Sequence, residues 1–194
     1  MKKILAFLAL LPLLTFGQGD GMNSVLYSVG IPVGESADFI EKTSFRGFAV
    51  TGDYFLNDEW SLGFSTGVQT FYEELGTQSY DLNTLTVTGE EFRYINMIPA
   101  IMTGKYHFSR YGVITPNVGL GVGFHWVSER REFAGFDFLD DAFRFGLQPT
   151  AGIGLEISPS TDLLFNTVYH HSFESSDIRT HSFLALQLGL RWLP

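Results

Sequence analysis

From Phe143 to Ile157 the chain alternates strictly. Phe143, Phe145, Leu147, Pro149, Ala151, Ile153, Leu155 and Ile157 are interleaved with Arg144, Gly146, Gln148, Thr150, Gly152, Gly154 and Glu156. A period of two marks a β-strand, whose successive side chains leave opposite faces. The pattern recurs over 114–126. It recurs again at the end of the chain, where Leu184, Leu186, Leu188, Leu190 and Trp192 oppose Phe183, Ala185, Gln187, Gly189 and Arg191. A soluble barrel turns its apolar face inward and covers its outside with charge. Here the second face is small, glycine-rich and poor in Lys and Glu, which is unsuited to a water-facing surface. The apolar stripes are therefore expected to face lipid and the polar stripes an interior.

The start of the chain fits that compartment. Lys2 and Lys3, an apolar run from Ile4 to Leu14 and the small residues around Gly17 read as a removable secretory signal, residues 1–17. That run is shorter than the roughly 20 apolar residues a spanning helix needs, and no later segment reaches that length without a polar residue or glycine. Membrane insertion must therefore use strands. Residues 18–194 fit one domain. There is no cysteine, hence neither a disulfide framework nor a lipoprotein acylation site. The net charge of −9 argues against nucleic acid as a partner.

Strands are expected near 23–31, 45–56, 60–72, 92–108, 112–127, 142–157, 161–173 and 181–192. Tight turns at Asn57-Asp58-Glu59, Ser109-Arg110-Tyr111 and Ser158-Pro159-Ser160 alternate with long connections near 31–44, 73–91, 128–141 and 174–180, which hold most of the 21 acidic residues. Alternation with an even strand number places all short turns on one side. The fold class expected is all-β, an eight-stranded antiparallel up-and-down transmembrane β-barrel, with short periplasmic turns and long outer loops. A lipocalin-like soluble barrel shares the count but not the face polarity. Aromatic residues gather at two levels. Trp60, Tyr54, Phe55, Tyr106, Phe108 and Trp192 lie beside the short turns, and Trp126, Tyr72, Tyr94, Phe143 and Tyr169 beside the long loops, as two interfacial girdles would require.

On these features the chain resembles the small eight-stranded outer-membrane barrels of the OmpA/OmpX type, and its texture is similar to outer-membrane barrel proteins of Bacteroidetes-like bacteria. Gln187, Gly189 and Trp192 resemble the C-terminal assembly signal of such proteins, although Pro194 occupies the last position, where an aromatic is usual. The resemblance implies residence in the cell outer membrane and recognition by its assembly machinery. Outer-membrane lipid and lipopolysaccharide are the expected surroundings, with a monomeric state and an extracellular ligand that no motif names.

An eight-stranded barrel is about filled by its own side chains. Asp53, Lys105, Glu156 and Arg191 fall on the inward parity near the short-turn end, and two acids and two bases confined there should pair as an ionic plug. The inward glycines leave room that Gln69, Gln148, Arg144 or a small apolar ligand could fill. The chemical alternative lies in Tyr169-His170-His171-Ser172-Phe173-Glu174, which resembles the His-x-Ser-Asn motif of the lipid A deacylases. His170 would then be the base and Ser172 the nucleophile. Phe173 stands in place of the asparagine, and the strand parity turns both residues inward. His170, His171 and His181 with Glu174 or Asp177 are the candidate metal ligands, without a diagnostic spacing. No cofactor is called for. The reading is a non-enzymatic barrel with a closed lumen and a structural or surface-interaction role.

Overall fold

The computed structural model describes residues 21–82, 85–173 and 180–192. The leader, Glu174 and Asp177 lie outside the described residues. Eight antiparallel strands close into a barrel in sequence order: β1 (Gly21–Val33), β2 (Ser44–Phe55), β3 (Trp60–Leu82), β4 (Leu85–His107), β5 (Ile114–Phe133), β6 (Phe136–Ser158), β7 (Thr161–Ser172) and β8 (His181–Trp192). β8 pairs with β1 from Asn23 opposite Trp192 to Val33 opposite Ser182, so no strand edge is left within the bilayer. A short helix, α1 (Glu35–Phe39), follows β1. Among the described residues no helix is long and apolar enough to cross a membrane; the crossing is made by strands.

Face polarity is as the alternation requires. Leu62, Met102, Leu120, Phe124, Ile153 and Leu190 are exposed on the outer wall. Inside, the half of the lumen toward the long hairpins holds an apolar cluster, in which Phe71, Ile95, Met97, Val127, Val168 and Phe183 are buried together with Phe39 and Ile40, which α1 and its exit deliver from above, alongside the buried polar side chains of His125, Arg144 and His170. The periplasmic half is polar and charged. Its inward glycines are recesses for side chains of neighbouring strands. A Cβ on Gly119 would come within 2.8 Å of Lys105 Cγ, one on Gly154 would strike Arg191 and Thr115, and one on Gly63 would strike Asp53.

Two of the expected long connections are instead strand. β3 and β4 run 23 residues each and pair out to Leu82 opposite Leu85, and β5 and β6 pair out to Phe133 opposite Phe136. About ten residues suffice to cross a bilayer, so much of β3 to β6 stands beyond it as a four-stranded sheet. The segments 73–91 and 128–141 lack an apolar stripe because, beyond the hydrocarbon layer, no face of that sheet meets lipid. The turn at Ala134 and Gly135, with φ of 50° and 84°, is the doubly left-handed two-residue form that continues strand twist without a loop. Phe55, expected in the periplasmic girdle, is buried and points inward, with the Arg110 guanidinium 4.0 Å from its ring centroid. It shares the parity of Asp53.

Candidate functional site in the lumen and its mouths

At the periplasmic end, the Lys105 ammonium lies 2.7 Å from Asp53 Oδ2, with side chains only 10% and 3% exposed. Arg191 donates through Nε to Asp162 Oδ2 at 2.8 Å and through a second nitrogen to Thr115 Oγ1 at 2.7 Å. Glu156, expected in this group, is exposed. The ladder explains the difference: Asp162 sits directly opposite Arg191 on the adjacent strand, whereas Glu156 is one strand further away, beside a register shift at the end of β6. Asp162 was legible as a candidate, because it shares inward parity with Leu164 and Asn166. Its partner could be assigned only from register.

The outer mouth is tied down by α1. Ser36 Oγ accepts the Ser182 N–H at 2.9 Å and lies 3.3 Å from His181 Nδ1, and His181 Nε2 is 3.2 Å from Glu129. At the other end of α1, Arg93 donates to the Phe39 carbonyl at 2.9 Å, and Glu73 accepts the Glu41 N–H at 2.8 Å. Arg93 belongs to a cluster on the extracellular sheet around the fully buried Glu91. That carboxylate accepts from Tyr80 Oη at 2.6 Å and from Arg93 Nε at 2.6 Å, and it lies 2.8 Å from Arg131 Nε. Burial alone would raise the Glu91 carboxyl, but the hydrogen bonds from Tyr80, Arg131 and Arg93 outweigh it and hold the group below its ordinary range. This cluster has no signature in the sequence, since a polar segment without alternation carries no register.

The candidate catalytic pair does not meet in this arrangement. Ser172 donates its hydroxyl to the His181 carbonyl at 2.9 Å, while His170 stacks on Phe183 with centroids 4.3 Å apart and lies 3.4 Å from His125. Both residues are buried in the lumen, away from lipid. The three candidate metal ligands also diverge. His170 faces inward, His181 is engaged by Ser36 and Glu129, and His171 faces outward between Tyr169 and Phe173 with Nδ1 2.8 Å from Ser182 Oγ. Neighbours in a strand cannot converge on one interior point.

The girdles and the seam complete the picture. Trp60 packs edge-on against Tyr106 at 5.2 Å on the periplasmic side. Tyr72 meets Tyr94 at 5.0 Å on the other. Trp126 and Trp192 are half-buried on the outer wall. Of the expected assembly signal, Gln187 points into the lumen. Gly189 lies where β8 meets β1, and a Cβ there would come within 2.6 Å of Leu26 Cα.

The family model for the OmpW family matches residues 34–180. This chain belongs to the OmpW family. Its relatives agree: over 139 residues the OmpW-family chain is 30% identical to a putative outer membrane protein of Rickettsia typhi, an alignment covering 70% of this chain and 53% of that protein. The chain thus spans about half the length of the curated relatives it matches. Among solved structures, Neisserial surface protein A superposes with a TM-score of 0.53 at 14% identity, covering 89% of this chain and 94% of that one. OprG from Pseudomonas aeruginosa gives 0.52 at 11% identity, covering 91% and 96%. At such identities these two likenesses speak for the fold. The OmpW-family barrel is a protein of the outer membrane.

Proposed function

We propose that this barrel is a closed, non-enzymatic outer-membrane protein whose role is carried by the sheet that β3 to β6 raise above the bilayer. The observation that carries the reading is the filling of the lumen. α1 seats Phe39 and Ile40 in its outer half, and Asp53 with Lys105 and Asp162 with Arg191 occupy its inner half. Between them, the recess bounded by Ser28, Gln69, His170, Phe183 and Gln187 holds about 10 Å³, less than a small apolar ligand needs. Above the bilayer, β6 pairs with β7 only from Gly146 opposite Ser172 onward. Phe136, Phe138 and Leu139 are exposed beyond that point, at 66%, 59% and 62%. Exposed apolar residues beside unpaired backbone are what partner recognition by a sheet edge uses.

Liposome swelling tests closure: purified protein should admit small sugars no faster than empty vesicles do, and rapid swelling would overturn the reading. For the surface role, a variant in which both hairpins are shortened to the level of Tyr94 should fold and insert but lose binding to intact host or neighbouring cells. Equal binding would remove the hairpins as the interacting part. The deacylase alternative is checked by mass spectrometry of lipid A from cells with and without the protein. A lost acyl chain that depends on Ser172 would restore it. Lipopolysaccharide around the wall and the assembly machinery acting on Gln187, Gly189 and Trp192 are the partners this reading includes.

A further inference from the structure

Between β1 and β2 the ladder slips. Ser28 is opposite Gly47, and the next pair is Gly30 with Ser44, so β2 carries one residue more than β1 across that interval. Such a bulge re-aims side chains, and here Phe45 joins Arg46 on the outer wall, both of them exposed. The bulge is fixed by Ser44, whose hydroxyl donates to the Thr70 carbonyl and accepts the Arg46 N–H at 3.1 Å and Gln69 Nε2 at 3.0 Å.

The Arg46 guanidinium lies 5.9 Å from the Tyr72 ring centroid. Tyr72 touches Tyr94, and Arg130 lies 5.9 Å from the Tyr94 ring centroid on the far side. These four residues stand on β2, β3, β4 and β5, a row about 14 Å wide at three strand spacings. The two arginines are not equivalent. Arg130 is held by Glu132 at 2.7 Å and Asp137 at 2.8 Å, whereas among the described residues Arg46 enters no ion pair. The tyrosine pair belongs to the outer girdle, so Arg46 stands at headgroup depth. Below it the wall is apolar, with Phe48 46% and Tyr27 51% exposed.

We infer that Arg46 is the anchor of a binding site for the phosphorylated headgroup of an outer-leaflet glycolipid of the lipid A class. The planar guanidinium, 5.9 Å from the Tyr72 ring centroid, presents paired donors that match phosphate oxygens. Phe48 and Tyr27 support an acyl chain beneath it, and Arg130, committed to its two carboxylates, marks the far end of the row. The site lies on the lipid-facing wall and stands or falls independently of the role of the hairpins.

Native mass spectrometry of the folded protein in detergent, titrated with lipid A and with dephosphorylated lipid A, tests the site. Folding of each variant is verified by a heat-dependent shift in gel migration. Arg46→Gln should bind lipid A about five-fold more weakly, the scale of one exposed charge contact. Arg46→Lys should fall between it and the parent, and Arg130→Gln should change little. All four proteins should bind dephosphorylated lipid A alike. Equal lipid A binding by the parent and Arg46→Gln would overturn the inference. So would an equal loss for the dephosphorylated lipid, or displacement of lipid A by millimolar inorganic phosphate, which would mark a site for soluble anions.

Discussion

The pair formed by Asp53 and Lys105 offers a quantitative test of how the lumen is held together. Removing one member of a buried ion pair costs about 3–5 kcal/mol, because the other charge remains desolvated. The two residues are not equally sealed. The Lys105 side chain is 10% exposed and has a flexible stem near the periplasmic mouth, whereas the Asp53 carboxylate is 3% exposed and lies over the recess at Gly63. Lys105→Met, which strands the carboxylate, should therefore fall near the upper end of that range. Asp53→Asn, which leaves an ammonium able to reach water, should fall near the lower end. The double variant removes both charges and should lose no more than about 1 kcal/mol, so the two single losses together should exceed the double loss by about 7 kcal/mol. Urea unfolding in lipid vesicles, followed by the fluorescence of Trp60, Trp126 and Trp192, measures all four species. The m-values must agree for the comparison to hold. Single losses below about 1 kcal/mol, or strictly additive losses, would refute the plug and mean that each charge is hydrated separately at the mouth.

Three further outcomes are expected. Glu91 has a carboxyl held below its ordinary range, so the stability it contributes is present above the unfolded carboxylate pKa and is lost as pH falls through the depressed folded value; the hydrogen-exchange protection factors of the outer halves of β3 and β4, corrected for the intrinsic pH dependence of exchange, should be unchanged from pH 7 to 5 and fall below about pH 4, and Glu91→Gln should lower them at pH 7. Gly135→Val, at a residue with φ of 84°, should cost the β5–β6 hairpin about 1–2 kcal/mol in local exchange while leaving the heat-shifted gel migration of the barrel as it was. Gly154→Leu would drive a side chain into Arg191 and Thr115 and should lower the urea midpoint, overpacking costing about 1–3 kcal/mol; an unchanged midpoint would mean that Arg191 does not need that recess.

What could be read in advance divides along the bilayer boundary. Within the membrane one face must be apolar, so parity alone identified the lipid-facing wall from Leu184 to Trp192 and the inward Asp53, Lys105 and Arg191. Beyond it that constraint lapses. Glu129, Arg130, Arg131 and Glu132 extend β5 although their pattern reads as a loop, and the cluster around Glu91 had no signature. Parity also states only which face a side chain leaves from. It could not distinguish Glu156 from Asp162 as the partner of Arg191, because both fall on the inward parity near the same turn and pairing depends on which strand is adjacent.

The sequence by itself therefore determined that this chain is a strand-built outer-membrane barrel, because a period of two with one apolar face and no apolar helix admits few other solutions. Only the tertiary structure decided which inward charges meet, that Ser36 and Phe39 close over the outer mouth, that Ser172 and His170 turn to different partners, and that a bulge sets Phe45 beside Arg46. Each of these depends on register between strands distant in sequence, and register is fixed by the closure of the whole ring rather than by any one strand.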